Sequence, residues 1–135
     1  MDEGYDSLTV YDSFVNDISE SKERILSFLM DCKMQGKKVF GYGASTKGNV
    51  VLQYCGITAD LLPYIAEVNS DKFGAYTPGS NIPIVSEKEA REMKPDYFFV
   101  LPWHFKDNIL GKERTYMAKE DVKFVFPLPQ FDIVS

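Results

Sequence analysis

The sequence predicts an open, mostly parallel five-stranded α/β sheet with helices on both faces, preceded by a long N-terminal helix. Three observations carry this. Short apolar runs alternate with stretches of helical periodicity, which is the pattern of strand–helix–strand units. One run, Tyr97-Phe98-Phe99-Val100-Leu101, is apolar at every position, as a central parallel strand covered on both faces should be. A glycine-rich segment, Gly41-Tyr42-Gly43-Ala44, falls between the first strand and the helix after it.

Taken in order, an apolar stripe through Tyr11, Phe14, Val15, Ile18, Ile25, Leu26 and Leu29 has the spacing of one helix face. Gly36 is placed to end that helix. Residues 1–10 form a flexible acidic lead, residues 11–36 the N-terminal helix, and residues 37–135 the sheet domain. Lys38-Val39-Phe40-Gly41 is the first strand. A helix follows from Ser45 to Tyr54 and closes at Gly56. Pro63-Tyr64-Ile65-Ala66-Glu67-Val68 is the second strand and Ile82-Pro83-Ile84-Val85 the third. Ser86-Glu87-Lys88-Glu89 has the form of a capping box, and its helix stops by Pro95. After the Tyr97 strand comes a helix over residues 106–118, broken at Gly111. Val122-Lys123-Phe124-Val125-Phe126 is the last strand, ended by Pro127-Leu128-Pro129. Crossover handedness makes 3-2-1-4-5 the most economical strand order, and the arrangement is Rossmann-like.

Composition narrows the function. The chain has 135 residues, 44% of them hydrophobic and 14% aromatic, enough for a real core. No apolar run reaches the roughly 20 residues of a membrane helix, and no secretory leader is visible, so a cytoplasmic location is the default expectation. A net charge of −5, with Lys and Arg scattered, argues against nucleic acid as partner. Two cysteines, Cys32 and Cys55, are too few for a structural zinc site and read as packing residues, so no metal is expected.

Gly41, Tyr42, Gly43, Ala44, Ser45 and Lys47 form the segment with the clearest chemistry. Glycines let backbone approach a ligand closely, and the following helix offers free N–H groups and the positive end of its dipole to an anion. Lys47 adds a charge. The spacing is neither the dinucleotide fingerprint nor a P-loop, so it predicts phosphate without naming the cofactor. Glu67 stands where such folds place an acid on a ribose hydroxyl, or is a solvated carboxylate at a strand end. Lys72 either pairs with a phosphate or is solvated. Pro78 and Gly79 belong to a turn that doubles as a ligand loop. Trp103 walls the site or caps the core, and His104, the only histidine, takes a surface or capping role ahead of a ligand contact, with a general base the least favoured reading. Tyr42 lies against the ligand or packs on the neighbouring strand. No catalytic residue is expected.

Four segments together resemble one known domain: Gly41-Tyr42-Gly43-Ala44-Ser45-Thr46-Lys47-Gly48-Asn49, Glu67-Val68-Asn69-Ser70-Asp71-Lys72-Phe73-Gly74, Thr77-Pro78-Gly79-Ser80-Asn81-Ile82-Pro83-Ile84 and Leu101-Pro102-Trp103-His104. They resemble the C-terminal domain of the sugar C-methyltransferases, over about residues 10–130. The resemblance implies a nucleotide-sugar-binding domain, with no cofactor of its own. S-adenosylmethionine would bind a catalytic domain missing from this chain, which would be a fragment and not catalytic alone. Two positions depart from the family pattern: Glu67 stands in place of Asp, and His104 in place of Asn. The alternatives are a stand-alone module for NAD or coenzyme A, or an interaction domain that docks through its first helix.

Overall fold

The computed structural model describes the backbone of residues 2–128 and 131–134, with side chains from Ile18 onward except that of Thr46. The side chains of Tyr11, Phe14 and Val15, and the stop at Pro129, lie outside the described residues. Helix α1 runs Asp2–Met34, starting well ahead of the apolar stripe, and buries Ile18, Ile25, Leu29 and Cys32 against the sheet domain. There follow β1 (Val39–Tyr42), α2 (Thr46–Cys55), β2 (Ile65–Glu67), β3 (Ile84–Ser86), α3 (Glu87–Glu92), β4 (Tyr97–Val100), α4 (Lys106–Glu120), β5 (Lys123–Phe126) and β6 (Asp132–Val134).

The sheet order is β3-β2-β1-β4-β5-β6. The first five strands are parallel and stand in the predicted order, with Val39 opposite Tyr97 and Ile65 opposite Ile84. The expectation of five strands is corrected to six, because β6 returns antiparallel along β5, placing Asp132 opposite Phe126. Pro127 ends β5, as predicted, but the chain then turns back onto the sheet rather than leaving it. The predicted break at Gly111 is also corrected. Helix α4 continues through it, since Gly111 is exposed and the helix is anchored on either side by buried Ile109, Glu113 and Met117. A glycine inside a helix costs only about 1 kcal/mol against alanine, which such anchoring outweighs.

Strand alternation divides the core into two layers. Phe98 faces Tyr42, Phe124 and Tyr116 of α4, while its neighbour Tyr97 packs edge-on against Phe28 of α1 at 4.9 Å between centroids. Helices α1 and α2 therefore cover one face of the sheet, and α4 the other. Phe98, Phe99, Phe124 and Phe126 are fully buried, each worth about 1.5–3 kcal/mol in removed apolar surface. Cys32 and Cys55 are free and buried, and burial pushes both thiols up, as packing residues require. The Ser86 hydroxyl accepts from the Glu89 N–H at 3.1 Å, the first half of the predicted capping box. Among the described residues no helix is long and apolar enough to cross a membrane.

Candidate functional site

Because β1 is central and its neighbours β2 and β4 lead to opposite edges, the direction in which strands are added to the sheet reverses at β1. A crevice opens at such a point in parallel sheets. The turn at residues 43–45 lies in it. Gly43 holds a left-handed φ of +76°, and a Cβ there would come within 3.2 Å of the Pro102 ring. The turn is therefore pressed against the segment that leaves β4. Gly48 has no room for a side chain either, since a Cβ would collide with Leu101, so α2 packs tightly onto the residue that follows β4. Ser45 caps α2, its Oγ accepting from the Gly48 N–H at 3.0 Å.

Glu67 shapes the turn from the side. It is buried, and both carboxylate oxygens are occupied by backbone: Oε1 accepts from Ala44 N–H at 2.8 Å, and Oε2 from Val68 and Asn69 N–H at 3.0 and 2.9 Å. The Ala44 N–H, which could have faced an anion, is bound to a carboxylate. Lys72 reaches over the same turn, its Nζ 3.4 Å from the Ala44 carbonyl and 4.0 Å from Glu67. Both contacts are long and the side chain is 43% exposed, so the ammonium keeps capacity for a further partner.

A pocket of about 190 Å³ opens beside the turn, lined by Ala44, Ser45, Asn49, Lys72, Thr77, Pro78 and Ile84. Its outer wall is pinned. Gln53 Nε2 donates to the Pro78 carbonyl at 2.7 Å, Thr77 Oγ1 and Ser80 Oγ share a hydrogen bond at 2.5 Å, and the Ile82 N–H donates to Thr77 Oγ1. Gly79 packs on the Gln53 side chain.

The predicted residues thus separate. Ala44, Ser45, Lys72 and Pro78 meet in one pocket, with Glu67 bracing its turn, and Gly41 inside β1 leads into it. Lys47 is exposed on α2 and does not line the pocket. Trp103 is buried and His104 exposed. Together with Phe105, they line a separate open cleft of about 440 Å³ after β4. Tyr42 points to the α4 side, where its phenol donates to Glu113 at 2.5 Å. Burial raises its pKa well above the ordinary phenol value, and the bond to Glu113 adds to the shift. Glu113 also receives Arg91 at 2.8 and 2.9 Å, and Arg91 pairs with Glu87 at 2.6 Å. Asn49, Thr77 and Ile84 were absent from the predicted set. Asn49 sits one helical turn beyond Ser45, a spacing that marks the same face of α2.

A larger groove of about 530 Å³, lined by residues such as Leu110, Met117 and Val122, lies at the other end of the sheet, where β5 begins.

Fold and crevice define a Rossmann-like α/β domain with a small pocket at the C-terminal ends of its strands. The description of the C-methyltransferase C-terminal domain family matches residues 1–129, and the chain belongs to that family. It is similar to the C-methyltransferase NovU of Streptomyces niveus, with 30% identity over 125 residues. That alignment covers 93% of this chain but only 30% of NovU, so the chain spans about a third of the length of the relative it matches.

Proposed function

We propose that this domain binds a nucleotide-sugar, a nucleoside diphosphate sugar, and holds it for methyl transfer from S-adenosylmethionine by a catalytic domain outside this chain. The observation that carries the reading is the placement of Lys72. Its ammonium lines the same pocket as the Ser45 cap, so a cation and a helix N-terminus border one small space. Family membership supplies the methyl-transfer context. Glu67 supports a role in shape rather than in reading ribose, because its oxygens are already taken by three backbone donors. A dinucleotide site of the ordinary kind needs that acid free for the ribose hydroxyls.

Calorimetric titration of the chain with TDP- and UDP-sugars, NADH and coenzyme A tests the reading. Saturation is expected with the nucleoside diphosphate sugars. Replacing Lys72 by alanine should weaken binding about tenfold, the size of one charge-assisted hydrogen bond. Tighter binding of NADH or coenzyme A, or equal affinity in wild type and Lys72→Ala, would overturn it. Gly43→Asp is a poorer probe, because the left-handed φ and the nearby Pro102 strain the turn whatever the ligand.

A further inference from the structure

Asn49 carries an unmet demand. Its Oδ1 is buried and has no hydrogen-bond partner among the described residues. Turning the amide end for end would bury the nitrogen instead and leave a donor unpaired, so either orientation leaves one group unsatisfied. Leaving such a group buried costs free energy, and native structures rarely retain one without a use. Gln53, one turn along the same face of α2, is bonded to the Pro78 carbonyl across the pocket's rim, which ties the helix face that carries Asn49 to the opposite wall.

The surroundings define what would satisfy it. Ala44, Pro78 and Ile84 line the pocket with apolar surface, Ser45 and Thr77 bring hydroxyls already engaged within the protein, Asn49 adds an amide and Lys72 a cation. Apolar walls suit the faces of a flat ring. Sugar hydroxyls laid against those walls would lose their hydrogen bonds to water without replacement. An asparagine amide presents an acceptor beside a donor, which is complementary to a nucleobase edge carrying an N–H next to an acceptor.

We infer that Asn49 reads the base of the bound nucleotide, with the base ring in the 190 Å³ pocket and its phosphates toward Lys72. This rests on the nucleotide-sugar reading above. Asn49 is then the specificity-determining residue of the site, and Glu67 holds the turn against which the ring lies.

The test uses the intact chain, titrated with UDP, TDP, GDP, ADP and inorganic pyrophosphate, and with the base-methylated form of whichever nucleotide binds best (N3-methyl-UDP for a uridine preference). Asn49→Ala should weaken the preferred nucleoside diphosphate about tenfold and leave pyrophosphate unchanged. The base-methylated nucleotide should bind as weakly to wild type as the unmodified one does to the variant. The unfolding midpoint of Asn49→Ala should be equal or higher, since an unsatisfied buried group has been removed. Undiminished binding by Asn49→Ala, or equal losses for pyrophosphate and nucleotide, would overturn the assignment while leaving nucleotide binding standing. Failure of wild type to bind any nucleoside diphosphate would bring down both.

Discussion

Two buried carboxylates flank the end of β1, and they are neutralised in different ways. Glu113, on the α4 side, is 3% exposed and is met by Arg91 through two bonds and by the Tyr42 phenol. Glu67, in the crevice, is met by three backbone N–H groups and only distantly by Lys72. Arg91 is paired twice over, since the same Nη2 also binds Glu87 at 2.6 Å and the guanidinium lies 4.0 Å over the Tyr116 ring. Lys72 is held by two long contacts. The less tightly paired of the two cations is thus the one whose local acid has been satisfied by the backbone. The Arg91 cluster is a lock on the fold, and the Lys72 corner is the loosely paired one.

Breaking the lock should give the largest effect. Arg91→Ala leaves Glu113 buried without its cation and should destabilise the chain by about 3 kcal/mol, read as a lower midpoint in urea unfolding. A loss below 1 kcal/mol would mean that Tyr42 and water suffice for Glu113, and the contrast between the two acids would weaken. A smaller, pH-dependent effect belongs to Tyr42. Its pKa is raised in the folded state, so its contribution is complete below the ordinary phenol value of 10.0 and declines as pH rises above it. Tyr42→Phe should therefore lose stability at neutral pH and show a shallower decline above about pH 10 than wild type. Parallel curves would remove the phenol from the lock. Smallest of all is Lys72→Ala, which should shift stability by no more than about 0.5 kcal/mol while still weakening ligand. A large stability loss would make Lys72 a structural partner of Glu67 instead.

Much of the architecture was legible because it is written in local signals. The apolar run at residues 97–101 marked the centre of the sheet, Gly56 and Ser86 marked helix ends, and crossover handedness ordered five strands correctly. Strand β6 was missed because Asp132-Ile133-Val134 is short and follows prolines, and its pairing depends on β5 being an available edge. Gly111 misled because its intrinsic cost is visible in sequence, while the burial of Glu113 and Met117 that overrides it is not. For the site, the turn after β1, Lys72 and Pro78 stood out from spacing and type, and the structure gathers them at one pocket. The direction of each side chain was not. Tyr42 lies in a buried strand and turns to the opposite side of the sheet, and Glu67 folds back onto backbone, outcomes fixed by contacts distant in sequence. Asn49 was hidden because an asparagine in a helix announces nothing until its neighbours show that it lacks a partner.

The reversal at β6 also settles where attachments belong. Val134 lies opposite Phe124, near the start of β5, at the end of the sheet away from the strand ends that border the pocket. A fluorophore, surface tether or affinity handle joined there would leave the crevice unobstructed, and one placed in the turn at residues 77–80 would stand in its doorway.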